Sequence, residues 1–163
     1  DLRHYGVATW EAFRVPPDHE WYLSLPEVVR RARAAADAAG TAGTHFRAVQ
    51  LPFNVHMADA FTVEAHEGAE GTTSALRFCR EAGLDVFASA SIGQGELVEG
   101  LPSDVADRLA GETPVQRAIN FARSAPGVTA ALVGMGTPAH VEENLAAGTF
   151  SPMGADAFDA TFE

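Results

Sequence analysis

Lysine is absent from this chain of 163 residues, so all 11 of its basic residues are arginine. They face 22 acidic residues, and the formal net charge is −11. Binding to nucleic acid or to an anionic membrane needs a basic surface, so this balance argues against both kinds of partner. The sequence also lacks an apolar run of 18 residues, so we expect no transmembrane helix.

Cysteine is almost absent as well. Cys79 is the single cysteine, so neither an internal disulfide nor a cysteine-based zinc site can form, and we expect a cytoplasmic protein.

The start of the chain, from Asp1 to His4, has no signal-peptide character and no initiator Met, so we expect a piece of a longer protein. The apolar fraction of 47% excludes a disordered tail, and the length suits one domain.

Four short apolar runs recur at nearly even spacing, which predicts strands that are buried on both faces. The runs are Tyr5–Thr9, Phe46–Leu51, Leu84–Ala88 and Val128–Val133. Capped helical patterns lie at Ser24–Gly40, Thr73–Ala82, Ser103–Ala110, Thr113–Ala122 and Thr137–Gly148. This alternation predicts a parallel sheet. The order fits either half of a (β/α)₈ barrel or a four-stranded doubly wound sheet, and nothing local separates the two.

Function in α/β proteins gathers at the C-terminal ends of the strands. After the last run, Gly134–Pro138 leads directly into a helix, where glycines and the helix N-terminus favour a phosphate. After the third run, Ser89–Gly95 combines hydroxyls, glycines and an amide, which suits phosphate or sugar but also a flexible loop. Gln50, near the end of the second run, needs hydrogen-bond partners from a bound base or from neighbouring backbone.

The remaining polar and aromatic candidates carry weaker signals. Trp10 and Phe13 are candidates to wall an apolar pocket and Arg14 to meet an anion, although we favour a tryptophan that packs beneath its loop. The histidines at 56 and 66, with Glu64 and Glu67 nearby, do not match any zinc spacing, so we expect solvated loop histidines and no metal site. Cys79 falls on the apolar side of a helix and is interpreted as a core residue.

Taken together, these loops resemble the aldo/keto reductase family. The run Val133–Leu145 resembles the family's C-terminal signature, with a glycine-containing turn after the last strand and a Glu-Asn pair in the next helix. The segments similar to its fifth to eighth strands are Arg3–Trp10, Gln50 with Pro52–Asn54, Phe87–Gly95, and Phe121–Val133. The likeness covers nearly the whole chain in order.

The resemblance implies a (β/α)₈ barrel that binds a nicotinamide dinucleotide, usually NADPH, with NADH also possible. It implies that residues 1–163 form a single partial domain, the C-terminal half of the barrel. The family's catalytic Asp, Tyr, Lys and His lie on the first four strands, so we expect no catalytic residue here and no activity from this chain alone. The expected partners are the missing half of the barrel, or a second copy, and a small carbonyl substrate.

The resemblance also implies a role for individual residues. Gln50 matches the glutamine that contacts the nicotinamide carboxamide, and Thr9 matches a polar residue that holds the same group. Ser89 falls where many members have a stacking tyrosine. The loop around the pyrophosphate is matched by Ile92, Gly93 and Gln94, and the loop around the adenosine phosphate by Gly134, Met135, Gly136 and Thr137.

The adenine end is matched by Glu143 and Asn144, and His140 falls where an arginine often meets the 2′-phosphate. Relatives often carry lysine at position 136, where this chain has glycine, so two charge-assisted phosphate contacts are missing. The preference for NADPH over NADH is therefore open. The leading interpretation is the cofactor-binding half of a carbonyl reductase, and the alternative is a non-catalytic nucleotide-binding or regulatory module.

Overall fold

A computed structural model describes residues 3–162 of the chain. The strands in this part are β1 (Tyr5–Ala8), β2 (Phe46–Pro52), β3 (Glu64–Gly68), β4 (Gly71–Ser74), β5 (Asp85–Ser89) and β6 (Ala130–Ala131). The helices are α1 (Leu25–Ala38), α2 (Asp59–Thr62), α3 (Ala75–Ala82), α4 (Ser103–Ala106), α5 (Pro114–Ser124), α6 (Pro138–Ala146) and α7 (Ala155–Asp159), with 3₁₀ helices at Gly93–Val98 and Ala147–Thr149. Within residues 3–162, no helix has the length and apolar character to cross a bilayer.

Strand order decides between the two architectures that the sequence left open. The main sheet runs β1-β2-β5-β6, with every neighbouring pair parallel, so the strands lie in the order of the chain. Right-handed crossovers that always step in one direction place their helices on one face of the sheet. A doubly wound sheet reverses its strand order at a switch point, so that alternative is wrong for this chain.

The two faces of this sheet differ in burial. Val86 and Ala88 in β5 are fully buried, and both belong to the main hydrophobic core. Their neighbours Phe87 and Ser89 point to the opposite face and are only half-buried. One face therefore carries the core, while the other is open.

The helix caps follow the sequence closely. The side chains of Ser24, Thr113 and Thr137 each accept a hydrogen bond from a backbone N–H three residues on, as predicted. Glu27 lies in the first turn of α1, and within residues 3–162 its carboxylate does not bond to the cap residue Ser24. Its carboxylate binds Arg30 and Arg31 instead, and these hydrogen bonds lower the pKa of Glu27 to about 2.

Several element boundaries differ from those predicted. The helix expected from Thr73 begins at Ala75, because Thr73 and Ser74 belong to β4. The helix expected at Ser103–Ala110 ends at Ala106. The last strand is confined to β6, although the N–H groups of the flanking residues 129 and 132 extend its ladder to β5.

The antiparallel hairpin of β3 and β4 was not predicted, and it buries His66 completely. The expectation of a solvated loop histidine is therefore wrong at this position. Nε2 lies 2.9 Å from the carbonyl oxygen of Phe13, so it donates, and Nδ1 accepts from the N–H of Leu25 at 3.4 Å. Burial lowers the pKa of His66, against a smaller opposing effect of the Phe13 hydrogen bond.

Candidate functional site

The C-terminal ends of three adjacent strands bring together the residues predicted to hold a nicotinamide. Thr9 directly follows β1, and its N–H donates to the carbonyl oxygen of Gln50 in β2 at 2.9 Å. Ser89 ends β5, where it pairs with Pro52 at the end of β2. These positions therefore lie along the C-terminal edge of the main sheet.

Polar groups at this edge are left without protein partners. The Oγ1 atom of Thr9 is buried and forms no hydrogen bond within residues 3–162. In the same part of the chain, the side chains of Gln50 and Ser89 form no hydrogen bond and are half-buried. A buried hydroxyl without a partner is costly, so the edge is built to receive hydrogen bonds from something else.

A cavity of about 700 Å³ lies between the loop after β5 and helix α6, and we call it the strand-end cavity. Six of the predicted residues line it: Ile92, Gln94, Gly134, His140, Glu143 and Asn144. Ala90, Ser91 and Gly95 also line it and belong to the loop Ser89–Gly95 that the sequence selected. Sequence reasoning did not select the remaining lining residues, which are Val98, Val115 and Leu132. Its volume lies within the range of about 300–1,000 Å³ that is typical of sites for small ligands.

The turn between β6 and α6 has glycines that the fold does not require. A Cβ atom on Gly134 would meet nothing within 4 Å, and on Gly136 it would meet only Nδ1 of His140 at 3.9 Å. Neither glycine has the positive φ that disfavours other residues. The missing Cβ atoms therefore leave open space at the turn, which lets a ligand approach the backbone closely.

The loop after β5 is held in a left-handed backbone conformation. Ala90 and Gln94 have φ of 53° and 55°, and they are the non-glycine residues with positive φ in the described part of the chain. Such positions cost energy and concentrate at functional sites. Asn54 is buried and holds this loop, because its Nδ2 donates to the carbonyl oxygen of Ala90 at 2.8 Å.

Helix α6 carries the other wall of the strand-end cavity. Thr137 caps the helix, and the side chain of Asn144 is buried, with Nδ2 3.3 Å from the carbonyl oxygen of Gly134. Asn144 therefore fastens the glycine turn to the helix. Glu143 is half-buried in the wall, and His140 is exposed at the rim.

Not every predicted residue lines the strand-end cavity. Met135, Gly136 and Thr137 lie on the exposed side of the turn. Gly93 lines a smaller neighbouring cavity of about 200 Å³, which also includes Ala90, Gln94, Asn54 and Trp10 and which we call the bridging cavity. The bridging cavity shares Ala90 and Gln94 with the strand-end cavity, so the two are adjacent.

The site has few charged groups. Among the described residues 3–162, no arginine lines the strand-end cavity, where Glu143 and His140 are the ionisable groups. Arg14 was a candidate for an anion, but its Nη1 binds Asp59 at 2.7 Å and its Nε donates to the Trp10 carbonyl at 2.8 Å. Its guanidinium is therefore committed to the protein.

Neither metal nor thiol chemistry has support in the described part of the chain. No group of three or more His, Cys, Asp or Glu side chains could hold a metal ion in residues 3–162. Cys79 is buried in α3, and burial raises the pKa of its thiol to about 12. A thiol with so high a pKa is unreactive, so Cys79 is a core residue as predicted.

Comparison with solved structures shows which known fold this chain shares. No family model matches the chain, and no curated protein does. The aldo-keto reductase AKR11C1 from Bacillus halodurans, in its holo form, matches with a TM-score of 0.57 and 13% identity over 96% of this chain and 48% of that one. The chain has the fold of part of an aldo-keto reductase barrel.

A second solved structure also shares the fold of this chain over part of its length. The thermostable aldo-keto reductase Tm1743, in complex with the inhibitor epalrestat, matches with a TM-score of 0.53 and 18% identity over 76% of this chain and 42% of that one. The chain thus spans less than half the length of either of these structures. The predicted α/β class with parallel strands of a partial barrel is confirmed.

Proposed function

We propose that this chain is the C-terminal half of an NAD(P)H-dependent aldo/keto reductase barrel and carries most of its dinucleotide site. The open face of the sheet supports a missing half, because parallel sheets are ordinarily covered on both faces. The fold shared with aldo-keto reductases over about half their length supports the same assignment.

One observation gives the main support for a dinucleotide site in this chain. Two segments about 40 residues apart in the chain were selected separately for a phosphate, the loop at Ile92–Gln94 and the turn at Gly134–Thr137. Both contribute walls to the same cavity of about 700 Å³ at the ends of the strands. Ligands of α/β barrels bind at that end of the strands.

The residues at the strand ends fit a nicotinamide. The orphaned hydroxyl of Thr9 and the amide of Gln50 would hold the carboxamide group, since both have hydrogen-bonding capacity that the protein does not use. The glycine turn and the N-terminus of α6 would take a phosphate of the adenosine end. When bound, the dinucleotide supplies the hydride that reduces an aldehyde or ketone.

This chain does not offer the proton donor for such a reduction. It has no lysine, and its two tyrosines are Tyr5 and Tyr22. The hydroxyl of Tyr22 donates to the carbonyl oxygen of Ala65 at 2.6 Å, and Tyr5 lies at the start of β1, far along the strand from Thr9. A general acid would therefore come from the other half of the barrel, and the chain alone binds without turnover.

The charges at the adenosine end bear on the choice of dinucleotide. NADPH is the cofactor that the resemblance predicts, yet His140 is the one basic side chain that lines the strand-end cavity. A 2′-phosphate is usually held by arginine or lysine through charge-assisted hydrogen bonds. We therefore expect NADPH and NADH to bind with affinities within about tenfold of each other, because the charge-assisted hydrogen bonds that would favour NADPH, worth about 1.5–3 kcal/mol each, are missing.

The test is a calorimetric titration of NADPH and NADH into the chain and two matched variants. Gly134→Val places a side chain in the strand-end cavity, whereas Gly148→Val makes the same change where a Cβ also meets nothing within 4 Å but outside that cavity. We expect Gly134→Val to weaken both dinucleotides at least about tenfold, since it fills the space of the ligand. Equal affinities for the two variants would contradict the assignment.

The alternative is a nucleotide-binding module without catalysis. Ser89 favours it, because a serine hydroxyl cannot stack on a nicotinamide ring as a tyrosine does. The two possibilities separate in the complete protein. A carbonyl reductase oxidises NADPH or NADH when an aldehyde is added, whereas a binding module holds the dinucleotide without consuming it.

A further inference from the structure

A second cavity, of about 520 Å³, lies under the loop that connects β1 to α1, and we call it the aromatic cavity. Its walls include Trp10, Trp21, Tyr22 and Leu23, with the carboxylates Glu11 and Glu20. The loop is fixed by its own backbone, because the N–H of Leu23 donates to the carbonyl oxygen of Ala12 at 2.9 Å. The walls are therefore held in place without a ligand.

Three aromatic side chains present surface to this cavity. Trp10 is 47% exposed and Trp21 is 62% exposed, which is unusual for the largest apolar side chain. Tyr22 is anchored at both ends, since its hydroxyl donates to Ala65 and one face of its ring stacks on His66 with centroids 5.7 Å apart. The other side of the ring is left to the cavity wall.

The charge of the aromatic cavity has one sign. Within residues 3–162, neither Glu11 nor Glu20 forms an ion pair, and no basic side chain lines the cavity. The nearby His19 accepts a hydrogen bond at Nδ1 from the N–H of Trp21 at 3.2 Å. The net charge of −11 adds a negative field over the whole chain.

We propose that the aromatic cavity binds an organic cation, an ammonium or quaternary ammonium group on an apolar body. The negative faces of aromatic rings attract cations, and unpaired carboxylates beside them add to that attraction. Glu11 and Glu20 repel anions, and neutral ligands lack the attraction between opposite charges, so charge complementarity favours the cation. This inference goes beyond the proposed dinucleotide site and does not depend on it.

The position of the aromatic cavity relates it to the strand-end cavity. Trp10 lines both the aromatic cavity and the bridging cavity, and the bridging cavity shares Ala90 and Gln94 with the strand-end cavity. The aromatic cavity is therefore adjacent to the bridging cavity, and the bridging cavity is adjacent to the strand-end cavity. An organic cation in the aromatic cavity would be separated from the strand-end cavity by the bridging cavity.

The experiment uses tryptophan fluorescence, because the two tryptophans of the chain both line the aromatic cavity. Choline is titrated into the 163-residue chain without a dinucleotide, and 3,3-dimethylbutan-1-ol, its neutral analogue of the same shape, is titrated in parallel. We expect the emission to change saturably with choline. The neutral analogue should bind about two- to fivefold more weakly, the size of a cation–π attraction at an exposed site.

Charge variants test the carboxylates. Glu11→Gln and Glu20→Gln should each weaken choline about two- to fivefold, the effect of a surface charge pair, and leave the neutral analogue unchanged. Asp37→Asn removes the same charge from the exposed end of α1 and should leave choline affinity unchanged. Far-ultraviolet circular dichroism checks that each variant keeps its fold.

Three outcomes would overturn the proposal: equal binding of choline and its neutral analogue, no saturable change with choline, or an equal loss in Asp37→Asn. Emission that changes with protein concentration, and not with choline, would also overturn it and would assign the cavity to contact between copies. Failure of dinucleotide binding in calorimetry leaves this titration unaffected, so the two proposals fail separately.

Discussion

The two faces of the main sheet have opposite characters along the same strand. In β5, Val86 and Ala88 have no exposed surface, whereas Phe87 and Ser89 are half-buried on the other side. The buried face packs against helices and supplies the core. The open face ends in the polar side chains of Gln50 and Ser89, and Thr9 follows β1 at the same edge of the sheet. We assign this edge to ligand binding.

The outer edge of the sheet adds to this difference. The N–H and C=O groups along the free side of β1 have no partner strand, because β1 pairs only with β2 among the strands of residues 3–162. Free edges and uncovered apolar faces drive association. A covering half of the barrel, or a second copy of the chain, would remove both features.

The largest expected effect is a difference in unfolding free energy between alanine variants of Phe121, in the core, and Phe87, on the open face. Phe121 is 1% exposed and stacks on Phe53 with centroids 5.8 Å apart, so Phe121→Ala should cost about 3–5 kcal/mol of unfolding free energy. Phe87→Ala on the open face should cost less, about 1–2 kcal/mol, because Phe87 is partly exposed and lies outside the main core. Urea denaturation measures both.

Light scattering of the same variants sharpens the comparison. We expect the chain to self-associate, and Phe87→Glu to reduce that association while the fold is kept. Equal losses of unfolding free energy in Phe121→Ala and Phe87→Ala would show that Phe87 is buried as fully as Phe121, which would contradict an open face. A single sharp monomer that unfolds cooperatively would argue that the chain needs no cover.

Titration of His66, in the β3–β4 hairpin, should make the stability of the protein depend on pH, an effect of intermediate size. Its folded pKa is lowered below the ordinary value of 6.5, so the unfolded chain takes up the proton more readily. The stability from neutral His66 is complete above about pH 6.5 and is lost as the pH falls below it, at up to about 1.4 kcal/mol per pH unit.

The measurement is the midpoint of urea unfolding between pH 7.5 and 5.5. His66→Phe should flatten the dependence on pH, whereas His56→Gln, at an exposed position, should leave it unchanged. The same slope in all three proteins would contradict the role of the buried ring. His66→Phe also leaves the carbonyl of Phe13 unpaired, so its slope rather than its absolute stability is compared.

The smallest expected effect concerns two orphaned hydroxyls. Thr9 and Thr73 both have a buried Oγ1 without a hydrogen-bond partner in the described residues, but only Thr9 lies at the strand-end edge. Replacement by valine removes the unsatisfied group, so each variant should gain up to about 1 kcal/mol of stability. Thr9→Val should also weaken dinucleotide binding about fivefold, and Thr73→Val should not.

Much of the sheet could be predicted from local pattern. The apolar runs at the four main strands and the caps at Ser24, Thr113 and Thr137 are signals that lie within a few residues of the chain. The turn at Gly134 was selected for the same reason, since a glycine before a capped helix is visible in the sequence. These features depend little on distant contacts.

The features that were missed depend on distant contacts. His66 is buried because Phe13, Tyr22 and Leu25 surround it, and none of them is near it in the chain. The left-handed conformation of Ala90 has no signal in its own residue type, since it is held by Asn54 from the neighbouring strand end. Local pattern contains neither kind of information.

The most direct test of the central claim is a map of dinucleotide binding by amide chemical shifts in nuclear magnetic resonance. NADPH or NADH is added to the chain, and shifts are followed for every assigned residue. The account predicts that the shifts concentrate at Ser89–Gly95 and Gly134–Asn144, with Thr9 and Gln50, while α1 and α3 stay unchanged. Shifts centred on the helices of the buried face, or no shifts with either dinucleotide, would contradict it.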